Sequence, residues 1–148
     1  MYQIKAVDYI DPNENIKVYS YQSIGTEMEH THDFIELVYV KSGAGVHKLN
    51  NEENNIERGA LFFLNIGQFH AFYSAERMEL VNILLKPQFI SGELLHSENA
   101  LEILGLFLFE EFNGVLDRLI PHLTFIGKEM LELEVILDAM ILEYSEKK

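Results

Sequence analysis

The chain has 148 residues, 48% of them hydrophobic, and a net charge of −13 from 24 acidic and 11 basic residues. This length suits a single domain that buries a core. Because nucleic-acid binding begins with neutralising phosphates, the acidic balance argues against direct DNA binding by this chain. The absence of cysteine excludes disulfides and thiolate metal sites. No signal-peptide pattern opens the chain, and its longest apolar run, residues 103–109, is too short to span a bilayer, so we expect a cytoplasmic protein.

Residues 4–87 have the pattern of short β-strands. Runs of β-branched and aromatic residues alternate there with turn sequences, which favours a sandwich or a barrel. The turn sequences are Asp11-Pro12-Asn13, Ser42-Gly43-Ala44-Gly45, the asparagine-rich residues 50–55 and Ile66-Gly67. We interpret residues 50–55 as a hairpin loop between strands at 46–49 and 56–57.

The remainder of the chain has helical periodicity. After Pro87 we predict one or two short helices, followed by a longer helix over about residues 125–146. The apolar residues of the longer helix recur at alternating steps of four and three, which forms a heptad seam. The seam consists of Ile126, Met130, Leu133, Leu137, Met140 and Tyr144. We therefore predict a β-barrel over residues 1–88 and a helical tail over 89–148 that packs on it, as one structural domain.

Two histidine-containing stretches carry the candidate chemistry. Alternate residues of a strand share a face, so His30, His32, Phe34 and Glu36 are predicted to point the same way. Buried polar groups need partners, which a metal ion, a polar ligand or ordered water would supply. The second stretch, residues 59–74, predicts a strand, a turn at Asn65-Ile66-Gly67, and a new strand with His70 and Phe72 on one face.

Together the two stretches resemble the paired motifs of the cupin superfamily. In the first motif the spacing of His30, His32, Glu36 and Gly43 matches, while Gly25 lies one residue nearer than the pattern asks. In the second motif Gly59, Gly67 and His70 match, but Asn65 replaces a proline and Ser74 replaces an asparagine. The resemblance implies a mainly β fold, a single cupin (jelly-roll) barrel followed by C-terminal helices.

The cupin resemblance also implies a site. His30, His32, Glu36 and His70 would converge inside the barrel, where metal-binding cupins hold their ion. Three imidazoles and a carboxylate suit Zn, Ni, Fe or Mn. The alternative is that the histidines hydrogen-bond a ligand, each other or Glu36, with no metal. We interpret His47, His96 and His122, which lie outside the motifs, as surface or packing residues.

Most of the chain resembles, more narrowly, the amino-terminal domain of AraC-type transcription regulators. The resemblance rests on the sequence from His30 to Glu36, the Val40-Lys41-Ser42-Gly43-Ala44-Gly45 turn, and the stretch from Gly59 to His70. Ala60 departs from the aspartate common there. The resemblance implies a domain that senses a small effector, with a sugar as one candidate, and that has no catalytic residues. Its expected ligand-binding residues are His30, His32, Phe34, Glu36, His70 and Phe72. The alternative function is a metal-dependent cupin enzyme, an isomerase or a dioxygenase.

The AraC resemblance gives the long helix a second role, homodimerisation. The expected interface is Met130, Leu133, Leu137, Met140 and Tyr144. The alternative is that this stripe packs on the barrel. A second apolar set, Leu131, Val135, Ile136 and Leu142, broadens the surface beyond one seam. Because AraC-type regulators continue with two helix-turn-helix units that this sequence does not contain, we interpret the chain as a sensor domain cut from a longer protein, or as a free-standing cupin.

Overall fold

The structure, a computed structural model, describes residues 2–92 and 122–146. The strands are β1 (Tyr2–Ile4), β2 (Ile16–Thr26), β3 (His30–His32), β4 (Ile35–Ser42), β5 (Ala44–Leu49), β6 (Glu52–Glu57), β7 (Ala60–Leu64), β8 (His70–Leu85) and β9 (His122–Thr124). The helices are α1 (Ala6–Tyr9), α2 (Pro87–Gly92) and α3 (Gly127–Glu146). The prediction of a mainly β fold followed by a C-terminal helix is confirmed. None of the described helices is long and apolar enough to cross a membrane.

The long strand β8 organises the sheet. On one side β2 pairs with nearly all of it, while on the other side β4 and then β5 pair with its two ends. The pairing register shifts between Ser23 and Gly25 in β2 and between Val40 and Ser42 in β4. Such irregularities bend strands where they pass from one layer to another, as in double-sheet jelly rolls. The consecutive strands β4 and β5 therefore pair with opposite ends of β8 within one folded sheet.

The hairpin between β5 and β6 is tighter than the sequence predicted. Only Asn50 and Asn51 form the turn, and both have positive φ, at 48° and 72°. This pair of left-handed residues suits a two-residue hairpin, in which asparagine is tolerated. The predicted loop over 50–55 is therefore wrong, because β6 already begins at Glu52 and pairs with Leu49.

Alternation along β4 gives the sheet two different faces. Glu36, Val38 and Val40 point to the inner face, where Val38 and Val40 join a buried cluster with residues of β5, β7 and β8. Ile35 and Tyr39 point to the outer face, into a second cluster with Leu137 of α3. A strand whose two faces are both covered must be apolar on both sides, and residues 35–40 of β4 are, apart from Glu36. That carboxylate is thus a feature that packing alone does not explain.

Helix α3 covers the outer face with four residues of the predicted heptad seam, while Ile126, the predicted first residue of the seam, precedes the helix and is 76% exposed. Leu137 is buried in the cluster there, and Leu133, Met140 and Tyr144 pack against the same cluster. Polar contacts tie the helix down as well. Tyr39 Oη donates a hydrogen bond to Glu134 at 2.9 Å, Arg58 pairs with the same carboxylate at 2.7 Å, and Lys41 pairs with Asp138 at 2.7 Å. The contacts favour the alternative stated above, in which the seam packs on the chain's own sheet.

The segment before α3 differs from the predicted helical tail. It contains β9, which pairs with β7, and α3 begins at Gly127, two residues after the predicted start. The backbone N–H of Phe125 donates to the carbonyl of Gly59 at 2.8 Å. Gly59 has a φ of +101°, and a side chain on it would collide with the backbone of Phe125. Because Gly59 has no side chain, the segment that precedes α3 can approach the sheet closely. The rest of the predicted short helices, residues 93–121, lies outside the described residues.

Candidate functional site

The two motifs meet where β3, β4 and β8 come together on the inner face. His30 lies opposite His70 in the β3–β8 pair, and Glu36 lies at the start of β4. Asp33 and Phe34 form a bend between β3 and β4, so the expected alternation from His30 to Glu36 is interrupted. Three residues of this stretch, His30, Phe34 and Glu36, nonetheless line one cavity. His70 of the second motif lines the same cavity.

His32, Glu36 and His70 form a compact buried triad. The Nε2 atom of His32 lies 3.1 Å from Glu36 Oε2, and the Nε2 atom of His70 lies 3.5 Å from the same oxygen. One ligand atom from each residue falls within 4.8 Å of the others, a spacing at which a single ion could contact all three. The predicted convergence of these three residues is therefore present in the structure.

The orientation of the two imidazole rings in the triad is fixed from behind. His32 Nδ1 lies 2.6 Å from the carbonyl oxygen of Phe34, and His70 Nδ1 lies 3.2 Å from Nε2 of His47. The Nε2 atoms of His32 and His70 are buried and, despite their closeness to Glu36, lie outside hydrogen-bonding geometry. Buried polar atoms rarely stay unsatisfied, so this arrangement fits a missing common partner. Two imidazole nitrogens and a carboxylate oxygen form a donor set that divalent transition metals accept.

Glu36 carries the charge of the site. Burial opposes its ionisation, but the adjacent imidazoles of His32 and His70 outweigh that penalty and lower its pKa to about 2. Asn82 Nδ2 adds a hydrogen bond to Glu36 Oε1 at 2.8 Å. The carboxylate is therefore ionised at neutral pH and available to a cation or to a hydrogen-bond donor.

His30, the fourth predicted ligand, does not join the triad. Its Nδ1 atom lies 2.9 Å from the carbonyl oxygen of Met28 and 3.6 Å from Glu27. Its ring packs edge-on against His70, with centroids 4.5 Å apart. Burial lowers the pKa of His30, which favours a neutral ring. His30 therefore belongs to the wall of the cavity, and the predicted set of three imidazoles is reduced to two.

A cavity of about 200 Å³ opens beside the triad. It is lined by Tyr2, Ile4, Tyr9, Tyr19, Tyr21, Glu27, His30, Phe34, Glu36, His70, Asn82 and Leu84. No lysine or arginine is among these lining residues. Glu27 Oε1 and Asn82 Oδ1 are buried acceptors with no hydrogen-bond partner. Burial, and then the charge of Glu36, raise the pKa of Glu27 to about 7. The wall thus combines aromatic faces with acceptors, as small-molecule sites commonly do.

Comparison with known families identifies this kind of domain. The sequence profile of the AraC-like ligand binding domain matches residues 18–104, more than half of the chain. The chain belongs to the AraC-like ligand binding domain family. The resemblance drawn from the motifs is therefore confirmed, and nine of the twelve residues that line the cavity lie within the matched segment.

Relatives of this AraC-like domain include transcription factors. The HTH-type transcriptional activator RhaR of Escherichia coli K12 and that of Shigella flexneri serotype 5b strain 8401 are each 43% identical to it over 60 residues. The matched segment covers 40% of this chain and 21% of each relative. The chain therefore matches only about a fifth of the length of these relatives.

Among solved structures, two similar proteins are a cupin-2 domain containing protein from Shewanella frigidimarina NCIMB 400 and a predicted oxalate decarboxylase from Thermotoga maritima. The first has 17% identity and a TM-score of 0.46, covering 52% of this chain and 76% of that one. The second has 19% identity and a TM-score of 0.44, covering 47% of this chain and 64% of that one.

Several residues that line the site of this AraC-like domain were not predicted from the sequence. Tyr19, Tyr21 and Asn82 line the cavity, and only a Tyr-x-Tyr alternation and a lone amide in an apolar run hinted at them. Two predicted ligand residues lie elsewhere. His32 is fully buried behind the wall, and Phe72 packs in the inner apolar cluster and borders a separate surface depression.

Of the two options given for His47, a surface or a packing residue, the structure supports packing. It is 1% exposed and stacks on Phe72, with ring centroids 4.7 Å apart, so the surface option is excluded. Its Nε2 atom contacts His70 of the triad. The signal was present in the sequence, because Gly45, His47 and Leu49 alternate on β5. The side chain of His122 and all of His96 lie outside the described residues.

Proposed function

We propose that this domain senses a small polar effector and belongs to an AraC-type transcription regulator. The observation that carries the proposal is the aromatic and acceptor-lined cavity on the inner face of a domain of the AraC-like ligand binding family. The relatives RhaR are HTH-type transcriptional activators, which supports a regulatory role in the cytoplasm. The net charge of −13 fits a part of such a regulator that does not itself contact DNA.

The cavity favours an uncharged, hydroxyl-rich effector such as a sugar. Hydrogen-bond donors on a ligand would satisfy the buried acceptor atoms Glu27 Oε1 and Asn82 Oδ1, and would also bind the carboxylate of Glu36. The tyrosine rings offer flat apolar faces and hydroxyl groups at the same wall. A volume of about 200 Å³ is below the roughly 300–1,000 Å³ usual for drug-sized ligands, so the effector must be small.

Strand β4 supplies a short path from the cavity to helix α3. Glu36 faces the cavity, and Tyr39, three residues along the same strand, donates a hydrogen bond to Glu134 of α3. An effector that draws Glu36 or Asn82 toward itself shifts a strand whose opposite face supports the helix. We therefore propose that occupancy is passed to the rest of the regulator through α3.

A second candidate function is favoured by the triad. The buried Nε2 atoms of His32 and His70, which face Glu36 without a well-aligned hydrogen bond, and the ionised Glu36 would hold a divalent metal, with Zn, Ni, Fe or Mn allowed by the donor types. Such an ion would act as a Lewis acid toward an oxygen of a molecule in the adjacent cavity. This arrangement serves either a metal-dependent sensor or the cupin enzyme considered above.

We also propose that the domain forms a homodimer through α3. The predicted seam is turned toward the sheet, but the second apolar set remains exposed. Leu131, Val135 and Leu142 are 56%, 69% and 56% exposed, and their spacing puts them on the helix face opposite Leu137. An apolar stripe on an exposed helix can pair with its own copy across a two-fold axis.

A sugar and polyol panel should reveal the effector by thermal shift. At 100 times its Kd a ligand stabilises the fold by about 2.7 kcal/mol, which for a domain of this size raises Tm by about 5–10 °C. Tyr21→Leu should weaken binding about tenfold by removing an aromatic wall. Tyr73→Leu, on a half-exposed residue outside this cavity, should not. A panel without any shift in the wild type contradicts the sensor proposal.

Metal binding can be followed by Co²⁺ absorption in protein stripped of metal. We expect the wild type to bind one equivalent with visible d–d bands. Glu36→Gln should weaken affinity by more than the roughly 10–100-fold that loss of a supporting group costs. Glu29→Gln, which alters a surface carboxylate paired with Lys48, is the matched control and should bind normally. A wild type that gives no bands contradicts the metal site.

Paired substitutions in α3 separate packing from dimerisation. Leu137→Glu should unfold the domain, because it places an unpaired charge in the outer cluster. Val135→Glu should leave the circular dichroism spectrum unchanged and convert a dimer into a monomer, since like charges would meet across the two-fold axis. Sedimentation measures the second effect. A monomeric wild type at high concentration refutes the dimer.

A further inference from the structure

His47 lies deep in the inner face although it belongs to neither motif. It is 1% exposed on β5, where it packs between Phe62 and Phe72 at centroid distances of 4.5 and 4.7 Å. A histidine in such an apolar setting loses hydration at both nitrogens, which must be compensated by specific hydrogen bonds. A phenylalanine would pack equally well at this position, so the buried imidazole indicates a specific hydrogen-bond partner.

The hydrogen-bond partner of His47 on this side is His70. His47 Nε2 lies 3.2 Å from His70 Nδ1, and both side chains are buried. A neutral imidazole donates through one nitrogen and accepts through the other, so one ring of the pair must donate to the other. When His70 gives the lone pair of Nε2 to a metal, its proton must lie on Nδ1, and His70 then donates to His47 Nε2.

His32 is held by the same kind of contact. Its Nδ1 atom lies 2.6 Å from the carbonyl oxygen of Phe34, which can only accept a hydrogen bond. A proton of His32 is therefore on Nδ1, so in the neutral ring Nε2 is the nitrogen that can bind a metal ion. Metal-ligating histidines characteristically donate their second N–H to a carbonyl, a carboxylate or a similar acceptor. His47 would be that acceptor for His70.

We propose that His47 is a positioning residue of the triad, which orients the His70 ring and selects the tautomer that can bind a metal. The inference rests on the metal-binding candidate stated above and names the residue that supports it. The geometry distinguishes His47 from His30, since His30 touches His70 by its ring and directs Nδ1 to the carbonyl of Met28.

Co²⁺ titration of His47 variants tests the proposal. His47→Phe keeps an aromatic ring between Phe62 and Phe72 but removes the acceptor, and should lower Co²⁺ affinity about 10–100-fold with altered d–d bands. His47→Gln can restore an acceptor and should recover most of the affinity. Met78→Leu, which changes the packing of the same inner cluster away from the two histidine rings, is the matched control and should leave the bands unchanged. Circular dichroism verifies folding of each variant.

The outcomes separate the two proposals. A wild type that binds Co²⁺ together with a folded His47→Phe of equal affinity and spectrum overturns the role of His47 alone. A wild type that binds no Co²⁺ overturns the metal site and this role with it. Should His47→Phe not fold, ¹⁵N NMR of histidine-labelled, Zn²⁺-loaded wild type decides. A slowly exchanging Nδ1 proton on His70 is expected, and a proton on Nε2 overturns the proposal.

Discussion

The structure depends on the two-sidedness of its central strands. Because side chains alternate along β4 and β8, the same two strands present Glu36 and Asn82 to the cavity and Tyr39 and Val81 to the outer cluster. Burying a carboxylate within such a sheet is costly unless it is paired and hydrogen-bonded. Two imidazoles and an amide provide that compensation, so the polar site is built into the strands that also carry the helix.

The sequence was informative wherever a short period or a motif spacing constrained the chain. The cupin resemblance of the two motifs implied the convergence of His32, Glu36 and His70, and the heptad seam predicted a helix ending at Glu146. The seam signal survives folding because helix geometry fixes which residues share a face. Glycine motifs were equally reliable, since Gly43 and Gly59 adopt left-handed conformations that other residues rarely adopt.

The rest depended on contacts between distant segments, which a local pattern cannot show. The Nδ1 atom of His30 lies against the carbonyl of Met28 rather than in the triad, and the partner of His70 came from β5, outside both motifs. The direction in which the seam of α3 faces was undetermined, because periodicity does not say which surface an apolar stripe covers. Tyr39, Arg58 and Glu134 settle it by tying the helix to the sheet.

The central claim is that cavity and helix communicate through the sheet between them. Hydrogen exchange measured by mass spectrometry tests it most directly, with and without the sugar that raises Tm most. We expect slower exchange in the cavity strands β4 and β8 when the sugar is bound. We also expect a changed exchange rate in the Leu133–Tyr144 part of α3, because this part of the helix packs on the same two strands. Protection confined to the cavity strands, with α3 exchanging at its original rate, would contradict the account.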